Sequence, residues 1–160
     1  MAAPVFRAPL RSRRDDVDHG AAVEWALEHG VVAVGGVLPA APVSFAEAVR
    51  EVAHRHGVRL ADRLERFASA PVGAFVWTRH PDGDLHLGRV DGPWRYDPSP
   101  EAASLDLPHV RAATWLAEPV SPASLPAAVE RAFARGGRNF QGTHGPGVEE
   151  QTAALWEELS

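Results

Sequence analysis

The sequence predicts an α+β protein, with a small twisted antiparallel β-barrel or sheet at its centre and helices packed outside. Residues 72–116 form short apolar runs separated by Pro/Gly turns, which is typical of an antiparallel meander. The flanking segments carry apolar residues at helical spacing and end at glycine. At 160 residues the chain is predicted to be a single domain, 1–160, with residues 118–160 as a helical C-terminal extension packed on it.

The part of the chain before the meander alternates strands and helices. Pro9 ends the first apolar run, a β-branched run closes on Gly35 and Gly36, and Ser44 and Glu47 form a capping box. The predicted elements are a strand at 4–9, a helix from about Val17 to Gly30, a strand at 31–36, a helix from Ser44 to Gly57 and a helix from about Arg59 to Ala70.

The meander itself is predicted as four strands, at 72–78, 85–90, 94–96 and 109–116. The turn at 80–83 contains Pro and Gly, which favour the backbone angles of a tight turn. After the meander, apolar residues at helical spacing from Leu125 to Phe133 predict a helix that stops at Gly136. A glycine-rich loop at 138–147 and a last helix at 149–159 complete the prediction.

The composition excludes several classes of chemistry. The chain has no cysteine and no lysine, so disulfides, Cys-ligated zinc, thiol catalysis, Schiff bases and a phosphate-loop lysine are all excluded. Neither a His-Glu-x-x-His motif nor a Gly-x-Ser-x-Gly elbow is present. We therefore expect no metal, no cofactor and no catalytic residue, and a protein that is not an enzyme. Because no apolar run approaches membrane-spanning length, a cytoplasmic location is expected.

Two groups of side chains are suited to nucleic acid. The segment 135–144 combines arginine, amide and aromatic groups that can hold phosphate, read a base edge and stack on a ring. The alternative for this segment is a surface loop with Phe140 tucked inward. Trp77, Trp94 and Trp115 lie on or beside strands of the predicted sheet, where they are either core residues or walls of a base pocket.

The order of these motifs resembles a known family. Gly30–Gly35, Val72–Trp77, Leu87–Tyr96 and Leu107–Leu116 together resemble the N-terminal module of Mrr-type, modification-dependent restriction endonucleases. That module is similar to the PUA superfamily, which includes the EVE, YTH and ASCH domains. The resemblance covers about residues 4 to 117. In similar sequences the strand corresponding to 31–36 often ends Gly-Trp, whereas this chain has Gly35 and Gly36 there.

The resemblance implies a PUA-like barrel that recognises nucleic acid and flips a modified base into an aromatic pocket, as the recognition part of a restriction or defence system. DNA with a modified base is favoured over RNA, no membrane role is expected, and a separate nuclease partner or domain would supply catalysis. The predicted phosphate contacts are Arg7, Arg13, Arg14, Arg79 and Arg138. The predicted base-pocket residues are Gly35, Gly36, Trp77, Trp94, Asn139, Phe140 and Gln141.

Other functions are compatible with the same residues. The net charge is −5, yet residues 1–14 carry four arginines and no acid, so a local basic face is expected. The alternatives are an RNA-binding PUA-like module, a non-catalytic protein-interaction or toxin–antitoxin accessory domain and, last, a small hydrolase.

Overall fold

The computed structural model describes residues 2–160 and confirms the α+β class. Its strands are β1 (Val5–Arg7), β2 (Val31–Val34), β3 (Phe75–Arg79), β4 (Leu85–Tyr96), β5 (His109–Trp115) and β6 (Gln141–Gly142). Its helices are α1 (His19–His29), α2 (Phe45–His56), α3 (Val58–Ser69), α4 (Pro100–Ser104), α5 (Ala127–Ala134) and α6 (Val148–Leu159), with a 3₁₀ turn at Pro122–Ser124. None of the helices in residues 2–160 is long and apolar enough to cross a bilayer.

The strands form one six-stranded mixed sheet in the order β2-β5-β4-β3-β1-β6. Of the two predicted alternatives, barrel or sheet, the structure has an open sheet with two free ends, and the prediction that it is wholly antiparallel is wrong because β1 pairs with β3 in parallel. Closure needs a ladder between the end strands, and β6 has only two residues to offer. Ala8 after β1 and Ala33 of β2 line a common cavity, described below.

Within the meander, the strands predicted at 85–90 and 94–96 are one continuous strand, β4. The turn expected between them is a bulge, since the pairing register with β5 shifts between Val90 and Trp94. The short helix α4 and strand β6 lie in segments predicted as loops. The bulge lets β4 pair with β3 at one end and with the start of β5 at the other.

Helices cover both faces of the sheet, and each face has its own core. Strand alternation sends Val76 to one face and Trp77 to the other. The first face packs against α1, α2 and α3 through buried residues such as Val23, Val52 and Phe67. The second face packs against α5 and α6, so the C-terminal segment encloses the smaller of the two cores.

Arg111 joins a helix of the first face to the bulge of β4. Its side chain is 2% exposed, and its Nε donates to Gly92 O at 2.8 Å. Its Nη1 donates to the carbonyls of Phe67 and Ala70, which lie at the C-terminal end of α3. A guanidinium there satisfies carbonyls that the helix leaves unpaired and interacts favourably with the helix dipole. This contact holds α3 against the sheet, and α3 provides one wall of the site described next.

Candidate functional site

A cavity of about 310 Å³ opens on the first face of the sheet, between the loop that follows β1 and the end of β2. Its walls are the β1–α1 loop, the end of β2, one side of α3, the loop before β5 and the loop before β6. Buried side chains form an apolar floor, namely Ala8, Leu10, Leu64, Leu107 and Phe140. We call this site the cationic cavity, because several arginines also line it.

Five arginines line the cationic cavity: Arg11, Arg13, Arg14, Arg63 and Arg138. Two of them join the loops on either side. Arg138 donates to Ser12 O at 2.9 Å, and Arg13 donates to Asn139 Oδ1 at 3.2 Å. Arg14 pairs with exposed Asp16 at 2.9 Å, so part of its charge is neutralised. The result is a cluster of guanidinium groups above an apolar floor, which suits a ligand with an anionic part and a flat apolar part.

Arg63 differs from the other four because it comes from the body of a helix. Its Nη1 is buried and has no hydrogen-bond partner in the part of the chain that the structure describes. Buried guanidinium nitrogens are normally bonded, and leaving one unpaired costs free energy. Because Arg63 also lines the cationic cavity, this donor has a ligand site beside it to which its guanidinium can donate.

Asp106 fixes the geometry of the cavity mouth. Its carboxylate accepts from Ser12 Oγ at 2.7 Å and from Gly36 N at 3.1 Å, which joins the β1–α1 loop to the end of β2. Asp106 and Leu10 are the non-glycine residues among 2–160 with positive φ, each at 54°. Both line the cavity. Strained backbone of this kind clusters at functional sites.

His109 supports the same segment from the core. It is fully buried, and its Nε2 lies 2.8 Å from Gly36 O. Trp94 Nε1 can only donate, so its 3.1 Å contact makes His109 Nδ1 an acceptor and leaves Nε2 as the donor to Gly36. Burial, the largest effect, lowers the pKa of His109 to about 4. The ring is therefore neutral and holds Gly36 in place.

Acid is expected to destabilise the fold through His109. The unfolded chain binds this proton near pH 6.5 and the folded chain only near pH 4, so the contribution of His109 is complete above about pH 6.5 and is lost as the pH falls to about 4. At about 1.4 kcal/mol per pKa unit, the loss is roughly 3 kcal/mol. Urea unfolding of wild type and His109→Gln across this range measures it. The wild type should lose more stability than the variant, and parallel curves would contradict the assignment.

Gly35 is required where the end of β2 meets Asp106. A Cβ at residue 35 would lie 2.8 Å from Asp106 Oδ2, and that carboxylate is held by two hydrogen bonds. We expect Gly35→Ala to cost about 1–3 kcal/mol of stability, measured by thermal and urea unfolding. Gly92→Ala is the control, since its Cβ would lie 3.4 Å from Ala112 Cβ in ordinary contact. Equal stability of the two variants would show that Asp106 moves freely.

The structure brings seven of the predicted site residues to the cationic cavity. They are Arg13, Arg14, Arg138, Gly35, Gly36, Asn139 and Phe140. These positions come from three separate segments of the chain, so their assembly is a result of the fold. Phe140 is 3% exposed, and it stacks on Phe6 with ring centroids 4.9 Å apart, so it forms part of the floor.

Five predicted residues lie elsewhere. Trp77 does not form a pocket wall as predicted, because its side chain is fully buried in the core of the second face. Arg7 is not placed to contact phosphate as predicted, because it is 6% exposed and its guanidinium is hydrogen-bonded within the protein. Gln141 accepts one of these bonds through its Oε1 and does not line the cavity. Trp94 packs on Phe45 and acts on the cavity only through its bond to His109. Arg79 lies outside the cavity, beside a second depression.

Sequence reasoning missed Arg63, Arg11 and Asp106. A signal existed for Arg63, since Leu60, Leu64 and Phe67 share one face of α3 and residue 63 falls within that apolar stripe. A charged residue in such a stripe is exceptional. No comparable signal marks Asp106, whose role depends on a left-handed backbone conformation.

The fold and the site define a class, namely an α+β protein with a mixed sheet covered on both faces and an arginine-lined cavity on one of them. Comparisons of this chain with protein-family models, with curated proteins and with solved structures find no match. In residues 2–160, no group of three or more His, Asp or Glu side chains is placed to hold a metal ion.

Proposed function

We propose that this protein is a non-catalytic reader of nucleic acid, which seats one nucleotide of DNA in the cationic cavity. The resemblance to Mrr-type recognition modules supports the choice of a modified base and of a role in restriction or defence. The observation that carries the proposal is the convergence of five arginines, from three segments of the chain, around one apolar-floored cavity.

The chemistry of the lining matches the two parts of a nucleotide. Guanidinium groups bind phosphate through paired, charge-assisted hydrogen bonds, and the exposed side chains of Arg13 and Arg138 lie at the rim. The apolar floor suits the face of a base. Unpaired Arg63 Nη1 is a donor for a base carbonyl or ring nitrogen, and the Asp106 carboxylate is an acceptor for a base amine.

The proposed recognition mode is not an aromatic sandwich. Phe140 is the one Phe, Tyr or Trp side chain in the lining, and it belongs to the floor. A base in this cavity would be selected by shape and by edge contacts to Arg63, Asp106 and Asn139. A base modification would then be sensed as added volume against the floor, which a cavity of about 310 Å³ limits.

A binding panel tests the proposal. Fluorescence anisotropy at about 50 mM salt compares short duplexes that carry 5-methylcytosine, 5-hydroxymethylcytosine, N6-methyladenine or phosphorothioate with an unmodified duplex and with RNA of the same sequence. We expect one modified duplex to bind more tightly than the rest, and Arg138→Gln to weaken that binding. Arg95→Gln is the control, because exposed Arg95 does not line the cavity.

The other outcomes separate the alternatives. Tighter binding of RNA than of every DNA duplex would replace the DNA reader with an RNA reader on the same cavity. No binding of any nucleic acid would overturn the proposal and favour a protein-interaction domain.

A further inference from the structure

A second depression, of about 700 Å³, adjoins the cationic cavity. Arg11 lines both of them. The rest of the second wall includes Arg79 at the end of β3, the β3–β4 turn at 80–83 and Phe133 of α5. Because β1 and β3 run parallel, their ends lie at the same edge of the sheet, which is why Arg11 after β1 and Arg79 at the end of β3 both line this depression.

Arg79 is exposed to solvent and packs against an aromatic ring. The residue is exposed, and its guanidinium carbon lies 5.7 Å from the centroid of the Phe133 ring. A cation–π contact of this kind leaves N–H groups on the edge of the guanidinium available to a ligand. Those edge groups are the ones that bind phosphate oxygens in pairs.

The basic groups of this region converge on α1. His19 Nε2 lies 2.9 Å from Pro9 O, which ties the β1–α1 loop to the start of that helix. Burial is the largest effect on His19 and lowers its pKa, and the charges of Arg11, His80 and Arg79 lower the pKa further. The hydrogen bond to Pro9 acts in the opposite direction and raises it. Arg11 and Arg79 therefore both lie near enough to His19 for their charges to act on it.

One of the two acidic residues that line the depression, Asp82, faces His80, and so does Glu24 beside the depression. Glu24 Oε2 lies 3.3 Å from His80 Nε2, and Asp82 Oδ1 lies 3.2 Å from His80 Nδ1. Glu130 also lines the depression. An anion is therefore expected between Arg11 and Arg79, away from His80 and its carboxylates.

We propose that Arg11 and Arg79 form a second phosphate subsite, which binds the phosphate next to the nucleotide seated in the cationic cavity. This inference rests on the proposed function and names its ligand class as a polynucleotide strand with at least two consecutive phosphates. Arg11 stands on the wall common to both sites, where the backbone of such a strand passes from one to the other.

Salt-dependent binding of the tightest duplex of the panel, followed by anisotropy, tests the subsite. We expect Arg79→Gln to weaken binding about fivefold at low salt and to reduce the slope of log Kd against log salt by about 0.9, the value for one phosphate contact. Arg79→Lys should keep the slope, because it keeps the charge. Arg95→Gln should change neither quantity. Calorimetry with the matching deoxynucleoside 5′-monophosphate should give equal affinity for wild type and Arg79→Gln.

Two failures are distinguishable. If wild type binds no nucleic acid, the proposed function itself fails. If wild type binds and Arg138→Gln weakens binding, but Arg79→Gln behaves like Arg95→Gln, the second subsite alone is overturned. A loss of mononucleotide affinity in Arg79→Gln would also overturn it, since Arg79 would then act on the cavity.

Discussion

Replacement of Arg7 by methionine is expected to lower the free energy of unfolding by about 3 kcal/mol and to remove nucleic-acid binding with it. Arg7 lies at the end of β1 and is 6% exposed. Its Nη1 donates to Ala132 O at 2.9 Å and to Gly136 O at 2.7 Å. Its Nη2 donates to Asn139 O at 3.4 Å and to Gln141 Oε1 at 3.0 Å.

These four bonds shape the loop that carries Arg138, Asn139 and Phe140 to the cavity. The backbone passes so close that a Cβ on Gly137 would lie 3.1 Å from Arg7 Nη2. Methionine fills similar space but provides no donor, so several carbonyls lose their partners. The loop should lose its conformation, and the three cavity residues should lose their positions with it.

Urea unfolding and the anisotropy assay measure both effects of Arg7→Met. Arg135→Met is the matched control, because exposed Arg135 lies close enough to lower the pKa of Arg7 after the larger effect of burial. Its removal should leave stability unchanged or slightly raised. If Arg7→Met unfolds like wild type and only binding falls, Arg7 contacts the ligand and its structural role is wrong.

Local signals in the sequence predict most of the elements. Ser44 Oγ accepts from Glu47 N at 3.1 Å, and Gly30 adopts φ of 63° at the end of α1, as their residue types favour. Strand pairing depends on partners that are distant in sequence, so neither the parallel pairing of β1 with β3 nor the strand β6 could be predicted.

The site could be predicted only in part, for the same reason. Arg138 and Asn139 stand in a segment whose residue types are suited to phosphate and base edges, and they do reach the cavity. For Trp77, strand alternation leaves two faces open, and the choice depends on where α5 and α6 pack. An arginine such as Arg7 has the same residue type whether it meets phosphate or four protein acceptors, and only the fold decides between them.

Replacement of Arg63 by glutamine is expected to weaken nucleic-acid binding about tenfold or more without loss of stability. A hydrogen bond from a charged donor contributes about 1.5–3 kcal/mol, and each 1.4 kcal/mol is a factor of ten. The folded protein has little to lose, because Arg63 Nη1 is buried without a partner in the described chain. Four other arginines line the same cavity, so removal of one charge also relieves repulsion.

Arg66→Gln is the control for Arg63→Gln, since it removes the same charge from an exposed position of α3 outside the cavity. It should change neither affinity nor melting temperature. Arg63→Gln should melt at or above the wild-type temperature while its affinity falls. The opposite result, a less stable variant with wild-type affinity, would mean that Arg63 supports the fold. A binding site requires donors that lower the stability of the free protein and form their hydrogen bonds only when a ligand is bound. Comparison of Arg63→Gln with Arg66→Gln separates the loss of stability from the gain in affinity.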